Sequence, residues 1–421
     1  MRKLAAILML AGIAPAVLAQ DYAGPSLAVA NGFRNQWTIA NWDDGGPLTH
    51  YVFLNMAEFW PHSVIDRDGP IRQLSPSVRQ DVATFITQTS AGELFLEDYL
   101  NQPTVDGMIV LHQGRIVFEQ YPRMHPHDKH LYMSVSKTIA STLVGVLADR
   151  GQININESID SYLTELKGSG WEGVSVLNVL DMASGIDCRQ ALPGVYDDPA
   201  LCYYQFEAGL GWLPPTEETP EDIHAWVAAL ASRRPAGEAY EYTSVNTFLL
   251  RWLVERVTGQ TYATVIESEI WQQIGAESDA LLVAPRRGVP VAASGMSSTL
   301  RDLARFGLLF TPTGRILSEP VVSDALIDNI QNGGRPEILN TDRDYDDPRL
   351  VNGEPVFASS FQWDWVMDDG DFYKGGYGGQ GLYVSPERDL VIAFFGTLDS
   401  NGSSNELDII ARQLAISGLF E

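Results

Sequence analysis

The chain has 421 residues, of which 45% are hydrophobic, and its formal net charge at pH 7 is −26. Such a charge repels phosphate backbones and anionic lipid headgroups, so we expect neither a nucleic acid nor an anionic membrane surface as a partner. The length allows a large core, either in two domains or in one core with an insertion.

The N-terminus carries a pattern typical of export. A basic start, Met1-Arg2-Lys3, precedes an apolar stretch from Leu4 to Val17, and small residues lie ahead of Gln20. This pattern predicts a signal peptide over residues 1–19 and a periplasmic or secreted protein. Later segments lack the length and apolarity of a membrane span, so we expect no membrane insertion.

The next part of the chain is mixed. Residues 20–45 are rich in Gly, Asn and Asp and predict irregular structure, whereas a helix is predicted at 79–88. We therefore interpret residues 20–100 as a leader region that packs on the core. Two apolar runs, 108–112 and 115–119, surround Gln113-Gly114 and predict a β-hairpin.

The remainder predicts helices first and strands later. A helix follows Lys137 and stops near Gly151, and residues 155–285 are interpreted as largely helical and loop-rich. The other predicted helices lie at 175–183, 220–232, 245–258, 261–273, 299–310 and 405–417. The predicted strands lie at 361–367, 372–374, 380–385 and 390–397.

Strands at both ends and helices between them predict an α/β (α+β) fold, with an antiparallel sheet flanked by helices. Residues 101–165 and 286–421 form the predicted core domain. Residues 166–285 form a largely helical insertion domain.

The chain has two cysteines, Cys188 and Cys202. In an exported protein, a pair so close in sequence favours a disulfide, and two buried free thiols are the alternative. A bridge would close a short loop that contains Tyr196.

Ser134-Val135-Ser136-Lys137 is an S-x-x-K motif. Positions i and i+3 lie on one face of a helix, so the amine of Lys137 is expected to reach the hydroxyl of Ser134. A serine in the first helical turn lies among unpaired N–H groups, which favour a developing oxyanion. The alternative is an ordinary solvent-facing serine and lysine.

Tyr240 and Tyr242 precede a predicted helix that begins near Val245. A tyrosine at this position can project its phenol into a cleft, where nearby lysines would lower its pKa and make it a proton shuttle. The alternative is a tyrosine that packs in the core.

Lys374-Gly375-Gly376 opens a glycine-rich strand. The density of glycine indicates that another part of the structure approaches the backbone closely, and such a strand edge can supply an oxyanion N–H. A glycine-rich hairpin without a chemical role is the alternative.

Two clusters suggest metals only weakly. His125, His127 and His130 lack an accompanying carboxylate or cysteine frame, so we interpret them as a polar loop rather than a zinc site. The D-x-D-x-D spacing of Asp342, Asp344 and Asp346 lacks the glycine and the final glutamate of a calcium loop. We expect no metal and no organic cofactor.

The S-x-x-K, Tyr242-Thr243-Ser244-Val245-Asn246 and Lys374-Gly375-Gly376, in this order, resemble the motifs of the penicillin-recognising serine hydrolases. The chain is most similar to their class C β-lactamase and esterase branch, in particular the 6-aminohexanoate-dimer hydrolase group. Further matches occur at 58–61, 180–186, 295–299 and 378–380, so that the resemblance covers most of the chain.

The resemblance implies roles for individual residues. Ser134 would be the acylated nucleophile, Lys137 its base and Tyr242 the proton relay to the leaving group. The N–H groups of Ser134 and Tyr377 would form the oxyanion hole, and Tyr196 would contact the substrate amide. We also assign Asn246, Lys374 and Gly376 to the substrate-binding set, although the register of Lys374 is ambiguous by one residue.

The sequence therefore predicts an exported serine hydrolase that acts on a small-molecule or short peptide-like amide or ester through an acyl-enzyme. The alternatives are a DD-peptidase or β-lactamase, and a non-catalytic sensor on the same scaffold. The second motif lacks the Tyr-x-Asn of class C β-lactamases, which argues against efficient β-lactam turnover. The sequence leaves the oligomeric state open.

Overall fold

The computed structural model describes residues 22–315, 320–339 and 350–421. The predicted signal peptide and the loop of Asp342, Asp344 and Asp346 lie outside these residues. Within them, no helix has the length and apolarity needed to cross a membrane.

The described residues form helices and strands along their whole length. The α-helices are α1 (Leu27–Gln36), α2 (Gly46–Leu54), α3 (Gln80–Ala83), α4 (Leu96–Tyr99), α5 (Lys137–Asp149), α6 (Val176–Leu180), α7 (Cys202–Leu210), α8 (Ile223–Ala228), α9 (Ser244–Thr258), α10 (Tyr262–Ile266), α11 (Leu300–Leu308), α12 (Asp324–Asn332), α13 (Pro336–Leu339) and α14 (Leu407–Ala415). The strands are β1 (His62–Ile65), β2 (Ile86–Thr89), β3 (Gly92–Phe95), β4 (Val105–His112), β5 (Arg115–Gln120), β6 (His130–Leu131), β7 (Ala280–Val283), β8 (Met296–Ser298), β9 (Leu350–Val351), β10 (Glu354–Pro355), β11 (Ala358–Ser360), β12 (Trp363–Val366), β13 (Phe372–Gly376), β14 (Gln380–Ser385) and β15 (Leu390–Gly396).

The main sheet has seven antiparallel strands in the order β11-β12-β13-β14-β15-β4-β5. The predicted hairpin is present as β4 and β5, and it joins the C-terminal strands because β4 pairs with β15. Every residue of β15 is buried, as expected for a strand covered on both faces. The prediction of one antiparallel α/β sheet built from both ends of the chain is confirmed.

Helices cover the two faces of this sheet. Helix α14 packs against β14 and β15, and α11 packs against β15 and β4. Beyond α11, helix α5 contacts α9, which also packs against α6 and α10. The helical middle of the chain therefore lies beside the start of α5, while the limits of the two domains stay a prediction.

A smaller sheet, in the order β1-β7-β8-β6, holds the segment that leads into α5. His130 and Leu131 of β6 pair with Ser298 and Ser297 of β8. Two residues later the chain turns into a 3₁₀ segment, Met133–Ser136, which α5 continues. The small sheet thus fixes where the S-x-x-K motif begins.

Three local predictions were wrong or incomplete. Residues 20–45 are not irregular throughout, since they contain α1, whose Ser26 hydroxyl accepts the N–H of Val29. The helix predicted at 79–88 is a single turn, α3, and the chain then enters β2. Helix α7 was not predicted, because nearly all of its residues are buried and it lacks a polar face.

Candidate active site

Ser134 lies in the 3₁₀ turn that precedes α5, and the surrounding structure holds this turn rigidly. The N–H of Tyr132 donates to the carbonyl of Met296 (2.8 Å), and Ser136 Oγ accepts the N–H of Met296 (3.2 Å). Met133 has a φ of 46°, a left-handed conformation that is costly for a residue with a side chain. The turn carrying Ser134 is therefore clamped to β8 in an uncommon conformation.

Lys137 reaches Ser134 as the motif predicts. Its Nζ lies 3.1 Å from Ser134 Oγ and 3.1 Å from the carbonyl oxygen of Ala293. The lysine is fully buried. Burial, reinforced by the nearby charge of Lys374, holds the pKa of Lys137 well below its ordinary value. A neutral amine next to a hydroxyl is the arrangement that proton abstraction requires.

Tyr242 lies beside both lysines. Lys137 Nζ is 5.0 Å and Lys374 Nζ is 4.6 Å from the centroid of its ring. Lys374 Nζ also donates to the phenolic oxygen of Tyr242 at 3.3 Å. Tyr240 is buried within an apolar cluster, whereas Tyr242 is only partly buried and packs against that cluster. The structure thus distinguishes the two tyrosines and brings Tyr242 to the nucleophile.

Tyr242 is positioned by the cap of the helix that follows it. Thr243 caps α9 by accepting the N–H of Val245, and its hydroxyl donates to the carbonyl of Cys188 at 2.8 Å. Cys188 and Cys202 form a disulfide with an S–S distance of 2.09 Å. The disulfide loop and the second motif therefore meet directly.

Lys374 of β13 pairs with Leu382 of β14 and is fully buried. Besides Tyr242, its Nζ contacts Asp364 of β12, whose Oδ1 lies 2.5 Å away. The other oxygen of Asp364 accepts the N–H of Gly375 at 3.0 Å. Sequence reasoning missed Asp364, because a single aspartate in a strand carries no recognisable motif.

The surroundings of Gly376 show why the Lys374-Gly375-Gly376 motif has glycine at this position. A Cβ at this position would lie 2.5 Å from the carbonyl oxygen of Tyr132 and 3.2 Å from Cβ of Met133. A larger residue would therefore push β13 away from the nucleophile turn. The predicted close approach is present, and its partner is the backbone just ahead of Ser134.

Two concave surfaces meet at Ser134 and Tyr377. We call the first the inner cavity, with a volume of about 310 Å³; its walls include Asp43, Tyr196, Glu207 and Trp212. We call the second the outer groove, with a volume of about 400 Å³; its walls include Tyr242, Asp364, Trp365 and Gly376. A substrate bound across Ser134 can therefore extend in two directions.

The inner cavity is acidic. Asp43, Asp44, Asp197 and Glu207 line it, and no lysine or arginine does so among the described residues. Burial raises the pKa of Asp43 to about 6, assisted by the charge of Asp44. Burial also raises the pKa of Glu207 to about 7 against the opposing hydrogen bond from Tyr203. Such shifts mark carboxylates that lack a cationic partner.

Glu207 is the innermost of these carboxylates. It is 5% exposed, one of its oxygens accepts the hydroxyl of Tyr203, and the other has no hydrogen-bond partner in the described part of the chain. A buried acceptor without a donor is costly. Sequence reasoning missed Glu207, because it lies within the unpredicted helix α7.

Tyr196 lines the inner cavity from the disulfide loop. Its hydroxyl accepts a hydrogen bond from Gln190 Nε2 at 2.8 Å. Gln190 Oε1 in turn accepts both the N–H and the hydroxyl of Ser244 at 3.0 Å. Gln190 therefore links Tyr196 to the start of α9, a role that the sequence did not reveal.

Asn246 is not in the wall of either surface. It is fully buried, and its amide nitrogen lies 3.4 Å from the sulfur of Met182. Tyr377, in contrast, is half-exposed between the inner cavity and the outer groove. Tyr377 and Ser134 thus share both surfaces, whereas the predicted substrate-binding residue Asn246 lies outside both.

The histidines lie apart from these residues. His130 is buried and its Nε2 is 3.1 Å from Asp106 Oδ2, while the rings of His125 and His127 stack at 5.1 Å. Within residues 22–315, 320–339 and 350–421, no group of three or more His, Cys, Asp or Glu is arranged to hold a metal ion.

Comparison with known proteins agrees with this geometry. Residues 96–416 match the family model described as Beta-lactamase. The chain is 32% identical to the 6-aminohexanoate-dimer hydrolase of Paenarthrobacter ureafaciens over 359 residues, which are 84% of this chain and 86% of that protein.

Solved structures show the same fold. A protein from Bacillus anthracis assigned as a 6-aminohexanoate-dimer hydrolase superposes with a TM-score of 0.77 at 24% identity, over 91% of this chain and 96% of that one. A family VIII carboxylesterase superposes with a TM-score of 0.52 at 17% identity, over 72% of this chain and 90% of that one.

Proposed function

The chain belongs to the β-lactamase family of serine hydrolases, and from this premise we propose that it is an exported acyl-transferring hydrolase of 6-aminohexanoate-type amides. In this proposal Ser134 is the nucleophile, Lys137 is its base and Tyr242 relays the proton. The observation that carries the proposal is the buried, weakly basic amine of Lys137 at 3.1 Å from Ser134 Oγ.

The residues define a complete reaction sequence. Lys137 accepts the proton of Ser134 as Oγ bonds to the carbonyl carbon, and the N–H groups of Ser134 and Tyr377 hold the resulting oxyanion. Tyr242 gives a proton to the departing nitrogen or oxygen and recovers one from Lys137. Water then attacks the acyl-enzyme, the same groups accept its proton, and Ser134 is restored.

The inner cavity supports the proposed substrate class. Its four carboxylates and the absence of a basic side chain in its described walls favour a substrate arm that ends in an ammonium group. A volume of about 310 Å³ suits a short linear arm. An ammonium group would also supply the donor that the second oxygen of Glu207 lacks.

The substrate test compares 6-aminohexanoate dimer with its N-acetylated form on the wild type, Ser134→Ala and Glu207→Gln. We expect the wild type to prefer the free amine by about tenfold in kcat/KM, because one buried charge pair contributes about 1–2 kcal/mol. Glu207→Gln should lose most of that preference, and Ser134→Ala should lose both activities. Equal rates of the wild type on the two amides would refute the ammonium subsite.

The substrate test also includes the β-lactam nitrocefin, because the alternative function is that of a β-lactamase. Penicillins carry a carboxylate, which the acidic inner cavity disfavours, and Lys374 is already bonded to Asp364. We therefore expect nitrocefin turnover far below amide turnover. Nitrocefin hydrolysis with the higher kcat/KM would support the β-lactamase alternative instead.

Export is the remaining part of the proposal, and it depends on residues 1–19. Mass spectrometry of the protein produced in its host should find a mature N-terminus at Gln20. An intact N-terminus in the cytoplasmic fraction would contradict export.

A further inference from the structure

The two active-site lysines have different partners. The donors of Lys137 go to a neutral hydroxyl, Ser134 Oγ, and to a neutral carbonyl, that of Ala293. Lys374 instead contacts the carboxylate of Asp364 at 2.5 Å. Both lysines are fully buried, so the bonded carboxylate is what distinguishes Lys374 from Lys137.

The ring of Tyr242 lies close to both amines, at 5.0 Å from Lys137 Nζ and 4.6 Å from Lys374 Nζ. The charge of Lys374 contributes to the lowered pKa of Lys137, because two buried ammonium groups beside one ring repel each other more strongly than they would in water. The site therefore favours a state in which one lysine is protonated and the other is neutral. The lysine that lies nearer to a carboxylate is then the one that stays protonated.

Asp364 is positioned to stabilise the positive charge of Lys374. It belongs to β12, next to the strand that carries Lys374, and its second oxygen accepts the N–H of Gly375 at 3.0 Å. This second bond fixes the carboxylate, so that its first oxygen points at Lys374. Its side chain is 21% exposed, so it lies at the edge of the buried pair.

We propose that Asp364 is a positioning residue that keeps Lys374 as the protonated donor to Tyr242 and thereby leaves Lys137 as the neutral base. The inference rests on the roles proposed above for Ser134, Lys137 and Tyr242. It adds a fourth residue, one that acts through Lys374 and makes no bond to the reacting atoms.

Charged and titratable groups from several elements face the two lysines and Asp364. Asp364 and Lys374 come from β12 and β13, Glu207 comes from α7, and Tyr242 precedes α9. Tyr373 of β13 and Asp408 of α14 line the outer groove together with Asp364. Glu207 and Asp364 both raise the pKa of Lys137, although burial and Lys374 outweigh them. Of the two acids, Asp364 alone is bonded to a lysine.

The test is the pH dependence of kcat/KM for an uncharged p-nitrophenyl ester in the wild type and Asp364→Asn. The amide keeps an acceptor for Gly375 but removes the negative charge. This removes the counter-charge that contacts Lys374, so both limbs of the profile should move to lower pH by about one unit or more. The maximum should also fall, because the remaining proton is shared between two lysines.

Two further variants separate charge from structure. Asp364→Glu keeps the charge and should restore the limbs towards their wild-type positions. Asp368→Asn removes an exposed carboxylate from the turn of the same hairpin and should leave the profile unchanged. Active-site titration with a fluorophosphonate corrects each rate for the fraction of folded enzyme.

The outcomes distinguish this inference from the proposed function. If Ser134→Ala loses activity and Asp364→Asn lowers the rate without moving either limb, Asp364 has only a structural role and the inference is wrong. If Ser134→Ala keeps wild-type activity, the proposed mechanism itself fails. Limbs that move by the same amount in Asp368→Asn would also overturn the inference.

Discussion

Two of the groups of buried charges in the described residues are organised in opposite ways. The first is the catalytic cleft, where Lys137 contacts only neutral partners and Glu207 leaves one oxygen unpaired. The second lies at the far end of the main sheet, where Arg412 donates to Glu354, Asp369 and Asp371. Lys137 and the second oxygen of Glu207 thus lack a bonded counter-charge, whereas Arg412 has three.

The pKa directions reflect this difference. Burial works to lower the pKa of Arg412, but the hydrogen bonds with Glu354 and its other partners outweigh burial, so that the pKa is raised. In the cleft, burial of Lys137 is not outweighed and its pKa is lowered. The comparison shows that a buried charge surrounded by partners stabilises its charged form, whereas a buried charge without them becomes reactive.

The largest expected effect is on the catalytic rate, and it comes from changing Lys137 in the catalytic cleft. Lys137→Arg keeps a positive charge at the nucleophile, but a guanidinium does not give up its proton at neutral pH. We expect kcat/KM on a p-nitrophenyl ester to fall by about 10³-fold, since a general base contributes about 10²–10⁴-fold. Lys167→Arg, at an exposed lysine, is the matched control and should keep full activity.

Thermal unfolding of Lys137→Arg should remain cooperative, and its circular dichroism should match that of the wild type. A variant that folds and keeps more than a tenth of the wild-type rate would show that Lys137 is not the base.

Arg412→Met tests the second group of buried charges, in which Arg412 is surrounded by carboxylates. Removal of Arg412 leaves Glu354 without this partner and leaves Asp369 and Asp371 with Arg388 as their remaining basic partner in the described residues. We expect a loss of about 3–5 kcal/mol in the free energy of unfolding. The rate per folded molecule, counted by fluorophosphonate titration, should stay near that of the wild type because Arg412 lies outside the catalytic cleft.

Arg150→Met provides the control for Arg412. Arg150 pairs with Glu269 at 2.6 Å on the surface, with half of its side chain exposed. Its removal should change stability by less than about 1 kcal/mol. An equal loss in the two variants would mean that the buried network contributes no more than a surface pair.

Glu207→Gln should have a smaller effect on the free energy of unfolding, and the pKa of Glu207 determines its sign. The pKa of this carboxyl rises from 4.5 to about 7 on folding, so its contribution to stability is complete below the unfolded value and is lost as pH rises through about 7. The neutral variant avoids that loss. We expect it to be more stable than the wild type by about 1–3 kcal/mol at about pH 8.

The advantage of Glu207→Gln should shrink as the pH falls towards about 4.5, which urea unfolding at several pH values would show. A pH-independent difference would mean that Glu207 is paired in the folded protein. Glu354→Gln, in the Arg412 network, should instead lower stability at neutral pH.

Much of the fold could be predicted because its signals are local. The β4–β5 hairpin, the helix after Lys137 and the last strands each have a clear period or turn. The S-x-x-K spacing also predicted the contact of Lys137 with Ser134, because helical geometry alone brings the two together. Tyr242 could be singled out only with the family resemblance, since Tyr240 lies two residues away in a similar context.

The site residues that the sequence did not predict are those that tertiary packing brings to the cleft. Asp364, Glu207 and Gln190 come from a strand, a fully buried helix and the disulfide loop, and none lies in a recognisable motif. Helix α1 was missed because its capping serine, Ser26, lies among residues that are also typical of turns. Chemistry carried by one short segment is visible in the sequence, whereas a charge environment assembled from several segments is not.

The central claim, that Lys137 is neutral at working pH, can be measured directly because the chain has only five lysines. NMR titration of protein labelled with ¹³C at lysine Cε follows each amine separately, and the resonance missing in Lys137→Arg identifies Lys137. The account predicts that this resonance titrates well below the ordinary lysine pKa of 10.5. A Lys137 resonance that titrates at the ordinary value would contradict it.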